Sequence, residues 1–308
     1  MSGYLNGLLS LLCIDIVFAY GVFLPVTAGQ LNLGGAGFQA LGAYLAAYLN
    51  ATYGVPPMYS LPLSALIGGV AGLALAFPVA RVRGVYMVLA TIAFTQVVSG
   101  AILASPALNG AAGIPVPDFV GLNVILPITA AVILLCFFLM STRLGLAMRS
   151  VHDDETVADL MGVSVRGIQV FCFTIGGCLA GLSGGLYAHQ FGFVQAQGFD
   201  DALSVEVLLF VLLGGGQTAW GPLVGASVFV LLPEVMRTFT PPVADFLAHL
   251  FGTKGPVAQP DESWRFVVLG VFTVAMMIWR PQGIVTGPLV ARISGWFTPR
   301  AVRRAISG

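Results

Sequence analysis

Few groups in this chain can carry charge or hold a ligand, and most stand in apolar surroundings. Asp15, Glu206 and Glu234 lie within or at the ends of uncharged runs, whereas Asp153, Asp154 and Glu155 are consecutive in one polar segment. A carboxylate facing lipid at mid-bilayer costs about 2.5–3.5 kcal/mol or more, so an acid there is a functional candidate by default. Glu206 and Glu234 fall near the ends of apolar runs, which lowers that cost; Asp15 falls in the middle of one. A proton-coupled carrier would use such a group, but Asp15 has no charged neighbour in sequence with which to form a relay. Cys13, Cys136, Cys172 and Cys178 lie in apolar runs without CxxC spacing and the three histidines are scattered, so neither disulfide nor metal chemistry is expected. No pair of residues suits an intramembrane enzyme.

Uncharged polar groups offer a second kind of chemistry, the handling of a solute inside a membrane. Gly29 to Gln39 (GQLNLGGAGFQ) and Gly214 to Gly221 (GGGQTAWG) combine flexible backbone with the amides of Gln39 and Gln217. Broken helices expose amides and carbonyls that lipid cannot satisfy, so such segments face protein or a water-filled cavity. Tight packing at a kink is the alternative. Thr91, Thr95, Gln96 and Ser99 form a polar stripe that suits either cavity lining or hydrogen bonding between helices. Gly177, Gly181 and Gly185 form consecutive GxxxG steps, with Gly68 and Gly72, and Gly221 and Gly225, as further pairs where helices approach closely. Within the first stripe Leu182-Ser183-Gly184-Gly185-Leu186 superficially resembles the LSGGQ signature of ABC nucleotide-binding subunits. It lies in an apolar span, and the chain has no GxxxxGKS/T phosphate loop, so no ATP site is expected.

The elements that must position these groups are membrane helices. Only 8% of the 308 residues are charged against 57% hydrophobic, too few ionic groups to cover a soluble globule of this size. Uncharged runs separate Asp15 from Arg81, Arg83 from Asp118, Arg166 from Asp200 and Glu206 from Glu234, each able to cross a core that needs about 20 apolar residues per helix. Spans are expected near 6–26, 36–50, 60–80, 85–104, 122–141, 167–190, 202–215, 221–236 and 265–280, about nine in all. The fold class is therefore all-α integral membrane protein, one transmembrane domain over 1–308. With no basic region before Arg81, the first apolar run reads as a retained span rather than a cleaved signal. Arginines at 81, 83, 143, 149, 166, 280, 292, 300, 303 and 304 mark the cytoplasmic side, while loops near 105–121 and 191–201 have none. Threading puts the amino terminus outside and the carboxyl terminus inside; a re-entrant Thr27–Gly37 would change the count by one. Residues 237–264 read as an outside loop, and the basic tail 281–308 as a snorkelling cytoplasmic anchor or a lipid site.

The longest inside loop, 142–166, contains Val157, Leu160 and Met161 at helical i, i+3, i+4 spacing. Asp153, Asp154 and Glu155 are placed at a first turn, where negative charge suits exposed amides, and Gly162 is placed to end the helix. A helix resting on anionic lipid favours Lys and Arg on its polar face; carboxylates there favour a groove in a partner protein.

Several segments together resemble the LivM-type permeases of the branched-chain amino-acid ABC transporter family, over nearly the whole chain. They are Leu31-Asn32-Leu33-Gly34 running to Leu45, Phe77-Pro78-Val79-Ala80-Arg81-Val82-Arg83-Gly84 with Tyr86, the acidic run Asp153 to Val163, Ser204 with Glu206 followed by Leu213 to Ala226, and Arg280-Pro281-Gln282-Gly283-Ile284. The resemblance implies a multi-pass protein of the bacterial inner membrane with no enzymatic site or cofactor of its own. It implies as partners a LivH-type second permease, two cytoplasmic ATPases that bind ATP and Mg, a periplasmic substrate-binding protein and the bilayer, with no nucleic acid. It further implies that Asp153, Asp154, Glu155, Val157, Leu160, Met161 and Gly162 form the coupling helix. Asn32, Gln39, Thr91, Thr95, Gln96, Asn109, Ser204, Glu206 and Gln217 are the expected translocation-path residues. One departure bears on the solute: Asn109-Gly110-Ala111-Ala112-Gly113-Ile114 stands where the family often has TGGxxG. Branched-chain amino acids are the expected cargo, with urea, amides or other small organic solutes, or a secondary carrier, as alternatives.

Overall fold

The structure, a computed structural model, describes residues 2–82, 84–232 and 234, with positions 270, 271, 274, 275, 278 and 283–285. The expected outside loop 237–264, most of the span 265–280, Arg83 and nearly all of the tail 281–308 lie outside the described residues. The described residues are helical almost throughout. The helices are α1 Ser2–Thr27, α2 Gly35–Tyr53, α3 Pro57–Val79, α4 Val85–Ala104, α5 Leu122–Ser141, α6 Arg143–Asp153, α7 Glu155–Leu160, α8 Val165–Phe191, α9 Asp201–Gly214 and α10 Trp220–Leu232. Two short strands, β1 Ile114–Pro115 and β2 Phe193–Val194, pair antiparallel and tie the α4–α5 loop to the α8–α9 loop.

Among the described residues five helices are long and apolar enough to cross a membrane: α1 from Gly3, α3, α4, α5 and α8. The expected span 202–215 is not a complete crossing by itself. α9 has 14 residues, which reach about 21 Å against a hydrocarbon core of about 30 Å. It turns back through residues 214–219 into α10, forming a hairpin in which the Phe210 and Phe229 rings lie 4.6 Å apart. Gly214, Gly221 and Gly225 allow this, since a Cβ on Gly225 would overlap the Phe210 carbonyl. The carbonyls left open at the end of α9 accept from a distant segment: Ile284 N–H donates to Leu213 O at 2.7 Å and Val285 N–H to Gly214 O at 3.0 Å.

α8 is the central helix, and its glycine stripe explains why. Gly177, Gly181 and Gly185 meet Gly68, Gly72 and Ser64 of α3, Gly176 and Ala180 meet Gly21 and Pro25 of α1, and Gly181 and Gly184 meet Gly42 and Gln39 of α2. The LSGG sequence is thus a packing surface: Ser183 Oγ donates to the Ala180 carbonyl 2.7 Å away, and Gly184 lies against the Gln39 backbone. Around these contacts Phe18, Tyr20, Phe23, Phe38 and Phe173 are fully buried.

The two ends of the bundle differ in chemistry. At one end α6 packs under α1, with Met148 fully buried 4.0 Å from Thr27 Oγ1 and His152 Nδ1 3.1 Å from the Val26 carbonyl. This end carries Arg81, Arg143, Arg149 and Arg166. At the other end Asn50 Nδ2 donates to Asp118 Oδ2 at 2.6 Å, and Asn50 Oδ1 accepts from Asp118 N–H at 3.2 Å. There His189 is fully buried, with Nδ1 2.9 Å from the Asp118 carbonyl and Nε2 2.7 Å from Ser60 Oγ. Through Asp118 and His189, α2, α3, the α4–α5 loop and α8 are thus joined, with the Asp118 carbonyl accepting from Nδ1.

Candidate coupling face and translocation path

The acidic loop folds as two helices. α6 ends at Asp153, Asp154 is the extended residue between, and α7 follows. Asp153 therefore closes α6 instead of opening α7, a correction to the expectation that three acids share one first turn. The reason is local: Asp154 Oδ1 accepts from Thr156 N–H at 2.8 Å and Val157 N–H at 3.1 Å, so it caps α7 and cannot continue α6. Those amides of Val157 and Thr156 hold the Asp154 carboxyl below the usual carboxylate range. At the other end Gly162 has φ +83°, the left-handed conformation that terminates helices, and Val163 N–H closes onto the Ala158 carbonyl at 3.0 Å.

The short helix has three different faces. Ala158 is buried against the bundle, while Val157, Leu160 and Met161 are 50%, 81% and 80% exposed. Glu155 turns the other way, its Oε1 accepting from Gln169 Nε2 of α8 at 3.0 Å. α7 is thus a rigid knob with an apolar tip, fixed to α6 on one side and to the base of α8 on the other.

The expected path residues divide into groups. Asn32, Thr91 and Ser204 are buried and their side chains hold the break between α1 and α2 in place. Asn32 Oδ1 accepts from Gly34 N–H at 2.8 Å, Thr91 Oγ1 from Leu33 N–H at 3.1 Å and Ser204 Oγ from Ala36 N–H at 2.9 Å. The free amides that begin α2 are satisfied by α4 and α9, as a broken helix inside a membrane requires. Thr95 and Gln39 are buried nearby, and neither Thr95 Oγ1 nor Gln39 Oε1 has a partner among the described residues. Gln96 is exposed on α4 and donates from Nε2 to Asp201 Oδ2 at the start of α9, at 2.5 Å. Glu206 is half-buried one turn and a half further along α9.

Two residues stand apart from this group. Asn109 is exposed in the α4–α5 loop with φ +55°, where it separates two single turns of 3-10 helix. Gln217 is exposed at the tip of the α9–α10 hairpin, beside Thr218, whose Oγ1 donates to the Val285 carbonyl at 3.2 Å. Asp15 is half-buried on α1 within electrostatic reach of Tyr187. Sequence reasoning missed Asp201 as the partner of Gln96, although an Asp pair preceding an apolar run was a visible helix-start signal. It also missed the buried His189, whose partners are brought together only by the fold.

No metal-holding group of His, Cys, Asp or Glu occurs among the described residues. The region comprises satisfied helix breaks, buried polar groups and an exposed knob at the basic end.

Comparison with known proteins agrees with that description. The family described as "Branched-chain amino acid transport system / permease component" matches residues 4–277. The chain is 30% identical over 313 residues to the high-affinity branched-chain amino acid transport system permease protein LivM of Escherichia coli K12, covering 90% of this chain and 68% of that protein. It is 26% identical to a probable LivH permease of Methanocaldococcus jannaschii, covering 91% and 89%, and 32% identical over 44% of its length to the autoinducer 2 import permease LsrC of Klebsiella pneumoniae. No solved structure matches. With the family matched over most of its length and LivM matched at this identity and coverage, the chain belongs to the family of permease components of branched-chain amino acid transport systems, a membrane-spanning transport subunit of an ABC importer.

Proposed function

We propose that this chain pairs with a LivH-type permease in a bacterial inner membrane. Two ATPases drive the pair from the cytoplasm, and a periplasmic binding protein supplies branched-chain amino acids. The observation that carries the reading is α7: a capped, rigid helix whose apolar Val157, Leu160 and Met161 stand exposed beside the basic end of the bundle. Exposed Leu and Met in water are costly unless covered, by about 25 cal/mol per Å² of apolar surface. An ATPase groove that covers them gains that energy and grips the helix. Movement of α7 passes into α8 through Glu155 and Gln169 and into α1 through α6, so ATPase closure reaches the helices that line the path.

The path is assigned to the region between α2, α4 and α9, where Gln39, Thr95, Gln96 and Asp201 lie. Coverage of the Gln96–Asp201 face by the second permease would bury this polar pair away from lipid. The same face would then line a conduit between the two subunits.

Reconstitution tests the reading. Proteoliposomes holding both permeases and both ATPases, with leucine-loaded binding protein outside and ATP inside, are expected to accumulate leucine. Omission of the ATPases or replacement of their phosphate-loop lysine should abolish uptake. Leucine transport by this chain alone would overturn the reading in favour of a secondary carrier.

A further inference from the structure

The α9–α10 hairpin turns beside the basic end of the bundle. Its tip, residues 214–219, rests on the last two turns of α1: the Tyr20 hydroxyl donates to the Ala219 carbonyl at 2.8 Å, and a Cβ on Gly216 would lie 3.3 Å from Val26 Cγ1. Val26 also meets His152 Nδ1 through its carbonyl, so the tip lies beside the turn of α1 on which α6 is seated. Thr218 and Ala219 are buried there, and Gln217 is exposed.

A helix that stops inside a bundle leaves its last carbonyls open, and here a remote stretch of chain closes them. Ile284 N–H donates to the Leu213 carbonyl and Val285 N–H to the Gly214 carbonyl, while Thr218 Oγ1 donates back to the Val285 carbonyl across 67 residues. Side chains are excluded from the seam. A Cβ on Gly283, at φ +85°, would come within 2.7 Å of the Gly215 Cα and 2.9 Å of the Leu212 carbonyl, and one on Gly215, at φ +120°, would overlap the Val285 carbonyl. Main chain therefore lies directly on main chain. Lipid offers no replacement for these bonds, so the carbonyls of Leu213 and Gly214 are satisfied only while residues 283–285 stay in place or while water reaches them. At its other end α9 carries Asp201 and Ser204, which meet Gln96 of α4 and the amide of Ala36 at the start of α2. A path that follows α9 from Asp201 ends at this seam.

We propose that residues 283–285 are a clasp that seals the inner end of the path by holding the tip of the α9–α10 hairpin closed, and that the seal parts only during the transport cycle. The inference rests on the reading of the chain as an ATP-driven permease whose path runs along α9. A weakened clasp then lets solute pass without ATP, whereas a contact that merely supports the fold does not.

The test uses the complete importer in proteoliposomes preloaded with labelled leucine and labelled sucrose, without ATP or binding protein, and follows the efflux of both. The wild-type complex should retain both. Thr218→Val keeps the side-chain shape and removes the donor to Val285; it should raise leucine efflux about tenfold, as loss of one hydrogen bond of ordinary net strength allows. Ile284→Pro removes the donor to Leu213 and should raise efflux at least as far, with sucrose still retained in both variants. His189→Leu, at the opposite end of the bundle, is the control for lost stability and should melt earlier without leaking. Lower melting of the two clasp variants with efflux at the wild-type level would overturn the seal. Sucrose efflux equal to that of leucine, or an equal leak from His189→Leu, would overturn it as well. If Ile284→Pro fails to assemble, Thr218→Val alone decides. ATP-driven leucine uptake by the wild-type complex, with binding protein outside, checks the reading on which the clasp depends. Its absence would remove that reading, whereas normal uptake together with leak-free variants would remove the clasp alone.

Discussion

Substitution of Gly181 by alanine is expected to loosen the centre of the bundle, because two neighbouring helices, α2 and α3, approach this one residue of α8. A Cβ there would overlap the Ser64 carbonyl and come within 3.0 Å of the Gly68 Cα, and Gly42 already lies against the Gly181 backbone from a third direction. Both neighbours are main-chain atoms, so no rotamer change can relieve the overlap and α3 must move outward. Overpacking of this kind costs about 1–3 kcal/mol. For a chain of this size the loss corresponds to a fall in Tm near the lower end of ~2–4 °C per kcal/mol. A thiol-reactive dye provides the assay, since Cys136 and Cys172 are buried and Cys13 and Cys178 half-buried in the folded protein. Gly100→Ala is the control: Gly100 lies on the exposed side of α4, and a Cβ there meets nothing within 4 Å. Equal melting of Gly181→Ala and Gly100→Ala would refute the claim that the stripe sets the packing of α8.

Other expectations concern the knob and the opposite end of the bundle. Leu160→Asp with Met161→Asp is expected to leave the melting temperature unchanged and abolish co-purification of the ATPases, since both side chains are exposed. Asp154→Ala should lower coupled uptake at pH 7 and Asp154→Asn should largely preserve it, because asparagine also caps helices. The Asp154 carboxyl is held below its ordinary value, so its contribution to α7 is complete above the unfolded value of about 3.9 and is lost only as pH falls through the lower folded value. Acidification from pH 8 to 5 should therefore leave the cap intact, as hydrogen exchange at Thr156 and Val157 would show. His189→Leu would strand the Asp118 carbonyl, leave the Ser60 hydroxyl only its long bond to the Pro57 carbonyl, and should destabilise the protein by about 1–3 kcal/mol in the dye assay, with insertion preserved.

The sequence was most legible where punctuation bounds an uninterrupted apolar run. The expected spans 85–104 and 122–141 coincide with α4 and α5, each preceded by a glycine, Gly84 and Gly121. It was less legible at α2, expected to stop at 50: the Asn50 amide turns to Asp118 and the helix continues to Tyr53, where Gly54 caps it. The break at Asp154 was hidden because three consecutive acids all suit a helix start, and only the hydrogen bonds choose among them. α6 went unread although Gly145, Met148 and Val151 repeat on one buried face. The apolar face of α7 could be read from spacing because it is local. The contacts around the expected path residues could not, since Gln96 with Asp201 and Ala36 with Ser204 meet across 105 and 168 residues. The hairpin of α9 and α10 posed a similar difficulty, because two half-length apolar runs cannot be told from two short spans until their glycines are seen in contact.

The central claim is that an external ATPase drives this chain through α7. The most direct measurement is the ratio of leucine imported to ATP hydrolysed by the complete importer in proteoliposomes, with wild-type chain and with the Glu155→Ala, Gly162→Val double variant. Loss of the Glu155–Gln169 contact and of the left-handed turn at Gly162 should leave insertion and ATP hydrolysis in place and reduce the ratio several-fold. An unchanged ratio would contradict the account.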